Sequence, residues 1–202
     1  MKHVFPALDA ALTDFARDGA GVVRSALSAD EIELLTRGIE ANLAQSGPLA
    51  AVASNADDPG RLFEDFCNWH RIPEYEIILR KSALPAVAAV LMKRATARIY
   101  HDHLLVKEAG TRQPTPWHQD QPYYNVNGRQ NVSLWVPVDP VPCETTLEFL
   151  AGLHDGKWYM PRTFVSKQAK WFPEGVLANI PDMTLAENQQ RVIGWEIGRA
   201  HV

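Results

Sequence analysis

The chain has little cysteine: Cys67 and Cys143 are the two among 202 residues. Two thiols give no disulfide framework, so a reducing compartment, the cytoplasm, is expected, and both are read as packed rather than reactive. No apolar run approaches the roughly 20 residues of a membrane span. The opening Met1-Lys2-His3-Val4-Phe5-Pro6 lacks the apolar stretch of a signal peptide. No membrane partner is expected. Positive charge is not in excess. Lys and Arg number 20 against 24 Asp and Glu, a net charge of -4, which argues against a general nucleic-acid binder. No internal repeat or low-complexity stretch stands out. What is present is a 46% hydrophobic composition in a chain long enough for one domain with a sizeable core.

Helical signals come first. Leu8, Leu12 and Phe15 lie at helical spacing over residues 7–18, and Gly19 stops that helix. Residues 21–23 read as a short strand. Ser28-Ala29-Asp30-Glu31 is a capping box opening a helix to about Gln45, with Ile32, Leu35, Ile39 and Leu43 as its apolar stripe. Residues 46–60 are loop-like, and Phe63, Phe66 and Trp69 after them are read as packed core. Pro73 starts a short helix to Arg80. Ser82 caps another to about Arg94, with Leu84, Val87, Ala88 and Leu91 inward.

The pattern then becomes β-like. Strands are expected over residues 98–107, 131–138 and 145–150, with another beginning at Val192. Residues 152–175, rich in Trp, Pro and Gly, read as a long insert or lid. The layout is α+β: a helical part, 1–95, followed by a β-rich part, 96–195.

The chemistry concentrates in Trp117-His118-Gln119-Asp120-Gln121-Pro122-Tyr123-Tyr124. In an extended segment, residues two apart share a face. The His118 imidazole and the Asp120 carboxylate can therefore converge on one ion. One nitrogen and one oxygen donor suit Fe(II), for which two His and one carboxylate form the usual non-haem site. A hydrogen-bonded surface pair is the competing reading.

The runs Tyr100-His101-Asp102-His103-Leu104-Leu105-Val106-Lys107, Trp117-His118-Gln119-Asp120, Ser133-Leu134-Trp135 and Leu147-Glu148-Phe149-Leu150-Ala151-Gly152-Leu153-His154 follow one another in an order and spacing that resemble the phytanoyl-CoA dioxygenase family. The resemblance reaches from about Phe15 to Trp195. It implies one oxygenase domain, 1–195, with N-terminal helices and a double-stranded β-helix (jelly roll, cupin-like) that is incomplete at the C-terminus. It also implies Fe(II), the co-substrate 2-oxoglutarate, O2 and a small organic substrate that becomes hydroxylated. By resemblance, His118 and Asp120 are iron ligands, and Trp135 and His103 lie against the co-substrate. His154 is structural support despite Leu153 where Ser is usual, and a carboxylate at Asp120 favours hydroxylation over halogenation. Gln119 and Tyr123 are candidate substrate contacts. Lys107 reads as a solvated strand end.

The family pattern continues past Trp195 into a strand with the distal His and an Arg for the far carboxylate of 2-oxoglutarate. Here residues 196–202, Glu-Ile-Gly-Arg-Ala-His-Val, instead match a translation of a common short-read sequencing adapter. They are expected to be non-native, so His201 is not taken as the third ligand. The chain as written is expected to bind iron weakly and to lack turnover. Two other classes stay open: a metal-dependent hydrolase in which the His-Asp pair holds Zn to activate water, and a non-catalytic β-sandwich with an aromatic ligand groove. The substrate and the oligomeric state are not written in the sequence.

Overall fold

The computed structural model describes residues 6–112, 114–154, 156–164 and 166–197. Helix α1 spans Pro6–Asp18. It ends at Gly19, whose φ of +83° suits glycine and whose N–H donates to the Phe15 carbonyl at 3.0 Å. Helix α2, Ala29–Ala44, opens with the reciprocal capping box: the Ser28 hydroxyl accepts from the Glu31 N–H, and the Glu31 carboxylate accepts from the Ser28 N–H. Ile32 of the expected stripe is buried, but Leu43 is 41% exposed and Asn42 is fully buried in its stead. The inward face is thus turned by one residue at its C-terminal end, where a polar partner waits.

Helix α3, Pro73–Lys81, carries Glu74 and Glu76 in its first turn and Arg80 and Lys81 in its last, matching the helix dipole at both ends. It packs on α2. A Cβ at Gly38 would lie 2.8 Å from the Tyr75 ring, so glycine permits that approach. Helix α4 is shorter than expected, Leu84–Leu91. Lys93, at φ 55°, turns the chain left-handed just beyond it. Ser82 serves the start of α4 by accepting from the Leu84 N–H at 3.2 Å. Leu27, Ile32, Ile78 and Leu84 form a buried cluster, and Leu134, Val136 and Val138 pack against it.

The sheets are small. Strands β1 (Ala51–Val52), β2 (Leu62–Phe66) and β3 (His103–Lys107) form an antiparallel sheet in that order. Phe66 pairs with His103 and Leu62 with Lys107. Strands β4 (Glu148–Leu150) and β5 (Val192–Gly194) make a second pair. A further helical turn, α5 (Ala186–Gln189), precedes β5.

Several expectations are corrected. The part expected to be helical, 1–95, supplies two strands of the main sheet. Phe63 and Phe66 mimic helical spacing, yet they sit on β2 because β3 offers a ladder beside it. Residues 21–23 form no strand, the strand expected from residue 98 begins at His103, and that expected from residue 145 begins at Glu148 after a 3-10 turn at Cys143–Thr145. Residues 132–136 alternate in burial as a strand would, but residues 131–138 have no ladder partner among the described residues, so they remain irregular. A strand is a property of a pair, and sequence alternation supplies only one member. The described residues therefore show sheets of three and two strands and not a closed jelly roll. Within the tail expected to be non-native, Ile197 bridges Val141 and Arg24 donates to the Glu196 carbonyl. Residues 198–202, including His201, lie outside the described residues.

Beneath α2 and β2 sits a buried polar knot. Asp65 is fully buried. Its carboxylate accepts from the Gly47 N–H at 2.7 Å, the Asn42 amide at 3.0 Å and the Phe66 N–H at 2.9 Å. Burial alone would raise its pKa, but these donors hold it below the usual carboxylate range. Arg71 completes the knot by donating to Asn42 and Asn68.

Candidate metal centre and the pocket beside it

Residues 116–120 run without helix or ladder into a 3-10 turn at Gln121–Tyr123. In this segment the His118 Nδ1 lies 2.7 Å from the Pro116 carbonyl oxygen. A carbonyl only accepts, so Nδ1 carries the proton in the neutral ring and Nε2 presents a lone pair. That Nε2 lies 3.2 Å from Asp120 Oδ1. The other oxygen, Oδ2, accepts the Ser133 hydroxyl at 2.7 Å. Burial and the charge of Asp120 push the nearby Tyr124 hydroxyl up to about 12, so it keeps its proton. When the His118 ring is doubly protonated, Nε2–H donates to Asp120 and holds that carboxylate below the usual range; losing that proton frees Nε2 for an ion. Burial draws His118 downward, but the bonds to Asp120 and Pro116 outweigh it and leave its pKa raised. Outer hydrogen bonds of this kind tune and orient a bound ion where such a pair holds one.

His103, on β3, feels the charges of both His118 and Asp120. Its ring stacks on Phe66, centroids 3.9 Å apart, and its Nε2 is 3.8 Å from Glu64. Burial, with His101 acting in the same sense, pulls its pKa to about 4. It is therefore a neutral imidazole at neutral pH. Trp135 is 44% exposed, two residues along from Ser133, while its neighbours Leu134 and Val136 pack on the helical core. Lys107 is an exposed strand end. His154 sits far along the chain against Gly19, where an added Cβ would lie 2.5 Å from its ring.

Gln119 points away from the His-Asp pair's shared face. Its amide donates to the Lys157 carbonyl at 3.3 Å and its oxygen accepts from the Tyr159 N–H at 3.1 Å. Tyr123 acts similarly: its hydroxyl accepts from the Arg162 N–H at 2.8 Å and donates to the Arg162 carbonyl at 2.7 Å. Both residues expected to face substrate thus fasten the 157–162 backbone over the centre. Phe164 from the same segment lies 4.9 Å from the His118 ring. Together they enclose a pocket of about 340 Å3 bounded by His118, Tyr123, Met160 and Phe164.

Pro116 and Phe164 carry no signal in the sequence, and Tyr124 and Ser133 stand there only within the runs Trp117–Tyr124 and Ser133–Trp135, without these roles. Ser133 was legible in principle, because it alternates with the apolar Leu134 and Val136. The others owe their place to tertiary folding. The His118–Asp120 pair supplies one nitrogen and one oxygen donor, a set that fits Fe(II). Among the described residues no three His, Cys, Asp or Glu side chains gather as a metal site. Among them, too, no helix is long and apolar enough to cross a membrane.

No curated protein and no solved structure matches the chain. The family model for phytanoyl-CoA dioxygenase (PhyH), whose members depend on Fe(II) and 2-oxoglutarate, matches residues 15–190 and thereby spans the helices, the His-Asp segment and the lid. The chain belongs to the phytanoyl-CoA dioxygenase family.

Proposed function

We propose that the protein is an Fe(II)- and 2-oxoglutarate-dependent dioxygenase that hydroxylates a small organic substrate, with His118 and Asp120 holding the iron and the small sheets forming part of a jelly roll. The observation that carries this reading is the placement of the His118 ring between Pro116 and Asp120. With Nδ1 committed to Pro116, the remaining nitrogen and Asp120 Oδ1 lie 3.2 Å apart, in a family of such oxygenases. Bound iron, with 2-oxoglutarate and O2, supplies the oxidising power and yields succinate and CO2.

The chain's own residues supply the setting. Pro116 orients the imidazole, and Ser133 holds the carboxylate. His103 offers a neutral imidazole and Trp135 an indole face as contacts for the co-substrate. Gln119 and Tyr123 keep the lid down and limit water at the centre.

The test uses the purified protein expressed from its full gene. Succinate is expected only with both Fe(II) and 2-oxoglutarate, and D120A is expected to lose both iron binding and succinate. Activity that ignores 2-oxoglutarate but requires Zn would replace this reading with a hydrolase. Ligand binding indifferent to chelators, with no turnover, would replace it with a binding module.

A further inference from the structure

The pocket against His118 has a chemical character of its own. Its inner walls are apolar and aromatic: Pro116, Trp117, Tyr123, Met160, Phe164 and Ile180. Two cationic side chains, Arg162 and Lys167, border it, and they differ in availability. The Arg162 guanidinium donates to both Glu174 carboxylate oxygens, at 2.9 and 2.6 Å, to Asn179 at 2.8 Å and to the Lys167 carbonyl at 3.1 Å. Its charge is already balanced by Glu174, and both Nη groups are engaged. Lys167 has no ion pair among the described residues. A second ammonium, that of Lys170, lies 5.7 Å over the Tyr123 ring. Lys170 also faces the Glu64 carboxylate, so among the described residues the positive charge left without a carboxylate partner at the border is that of Lys167, above walls that offer no carboxylate either.

We propose that this pocket takes a small ligand with an apolar, preferably flat, body and a single anionic group, the body lying along Trp117, Met160 and Phe164 and the anion meeting Lys167. The proposal deepens the oxygenase reading by naming the substrate class of its site. The volume, about 340 Å3, is at the small end for ligand sites, which suits an arylalkanoate rather than a large multiply charged thioester. The body lies beside the His118 ring, so a carbon of the ligand is brought to the side of the metal pair while its charge stays at the border. Apolar walls supply the bulk of the affinity and one charge-assisted contact fixes the direction of entry.

Binding can be read without iron and without turnover, so its failure is separable from failure of the oxygenase reading. Phenylacetate, 3-phenylpropionate and 4-phenylbutyrate are titrated into the iron-free protein by calorimetry, alongside their uncharged amides. At least one acid should bind about tenfold more tightly than its amide. K167M should bring acid and amide to the same affinity while leaving the amide unchanged. M160W, which fills the pocket, should abolish binding of both, and circular-dichroism melting confirms that each variant is folded. The proposal is overturned if no acid binds, if acid and amide bind alike in the unsubstituted protein, or if folded K167M keeps the preference for the acid. If K167M keeps it and K170M removes it, Lys170 is the anchor and the assignment to Lys167 is wrong.

Discussion

Ser133 donates to Asp120 Oδ2 at 2.7 Å, which leaves Oδ1 as the oxygen turned toward His118. The hydroxyl thus selects which oxygen of the carboxylate is free. Removing it with S133A should let the carboxylate rotate and weaken divalent-metal affinity by about tenfold, the low end for loss of an outer hydrogen bond. Competition titration with Co(II) reads this directly. Melting should barely change, because Ser133 lies on the exposed side of its segment.

Gln119 and Tyr123 hold the 157–162 backbone through single, identifiable amides. In Q119A the Tyr159 N–H loses its acceptor, and in Y123F the Arg162 N–H does. A hydrogen bond of about 1 kcal/mol corresponds to roughly fivefold faster exchange of the amide it protects. Hydrogen-exchange mass spectrometry should show acceleration at 157–164 in both variants, with α2 and α3 unchanged. Uniform acceleration would mean that the side chains support the whole fold rather than the lid.

Asp65 anchors the knot that joins α2 to β2. D65A leaves Asn42 and the Gly47 N–H buried without their acceptor and should destabilise by about 3–5 kcal/mol in denaturant unfolding. The pH dependence has a definite sign. Its folded pKa is below the unfolded value, so this stabilisation is complete above about 4 and is lost as pH falls through the folded pKa. D65N should flatten the acid limb of the stability curve.

His103 acts with the same sign in a higher pH window. Folded, it titrates near 4, whereas an unfolded histidine titrates near 6.5. Between those values the unfolded chain binds the extra proton, so acidification from about 6.5 to about 4 lowers stability and rising pH restores it. NMR of the ring protons should show a midpoint near 4. A midpoint near 6.5 would mean that the ring does not occupy its place against Phe66.

In the helical core, I78A should cost about 2–5 kcal/mol, since Ile78 is 2% exposed and packs with Leu27, Ile32 and Leu84. Urea unfolding at constant m-value would check it.

The helices were legible because their signals are local: the Ser28–Glu31 box, Pro73 at the first turn of α3 and Gly19 after α1 each act within a turn. The His118–Asp120 pair was legible for the same reason, being two residues apart. Strand β2 was not, because its identity comes from β3, some forty residues away in the chain. The knot around Asp65 was hidden too. Asn42 carries no apolar signal, and only its partners explain why it, and not Leu43, faces inward. The roles of Gln119 and Tyr123 depended on a lid whose path no periodicity reveals.

Gln119 stands between the two donors, and its amide grips the lid. The segment that carries His118 and Asp120 and the backbone that borders the pocket are therefore tied through one peptide step on either side. Displacing residues 157–162 would break both hydrogen bonds that hold the Gln119 side chain.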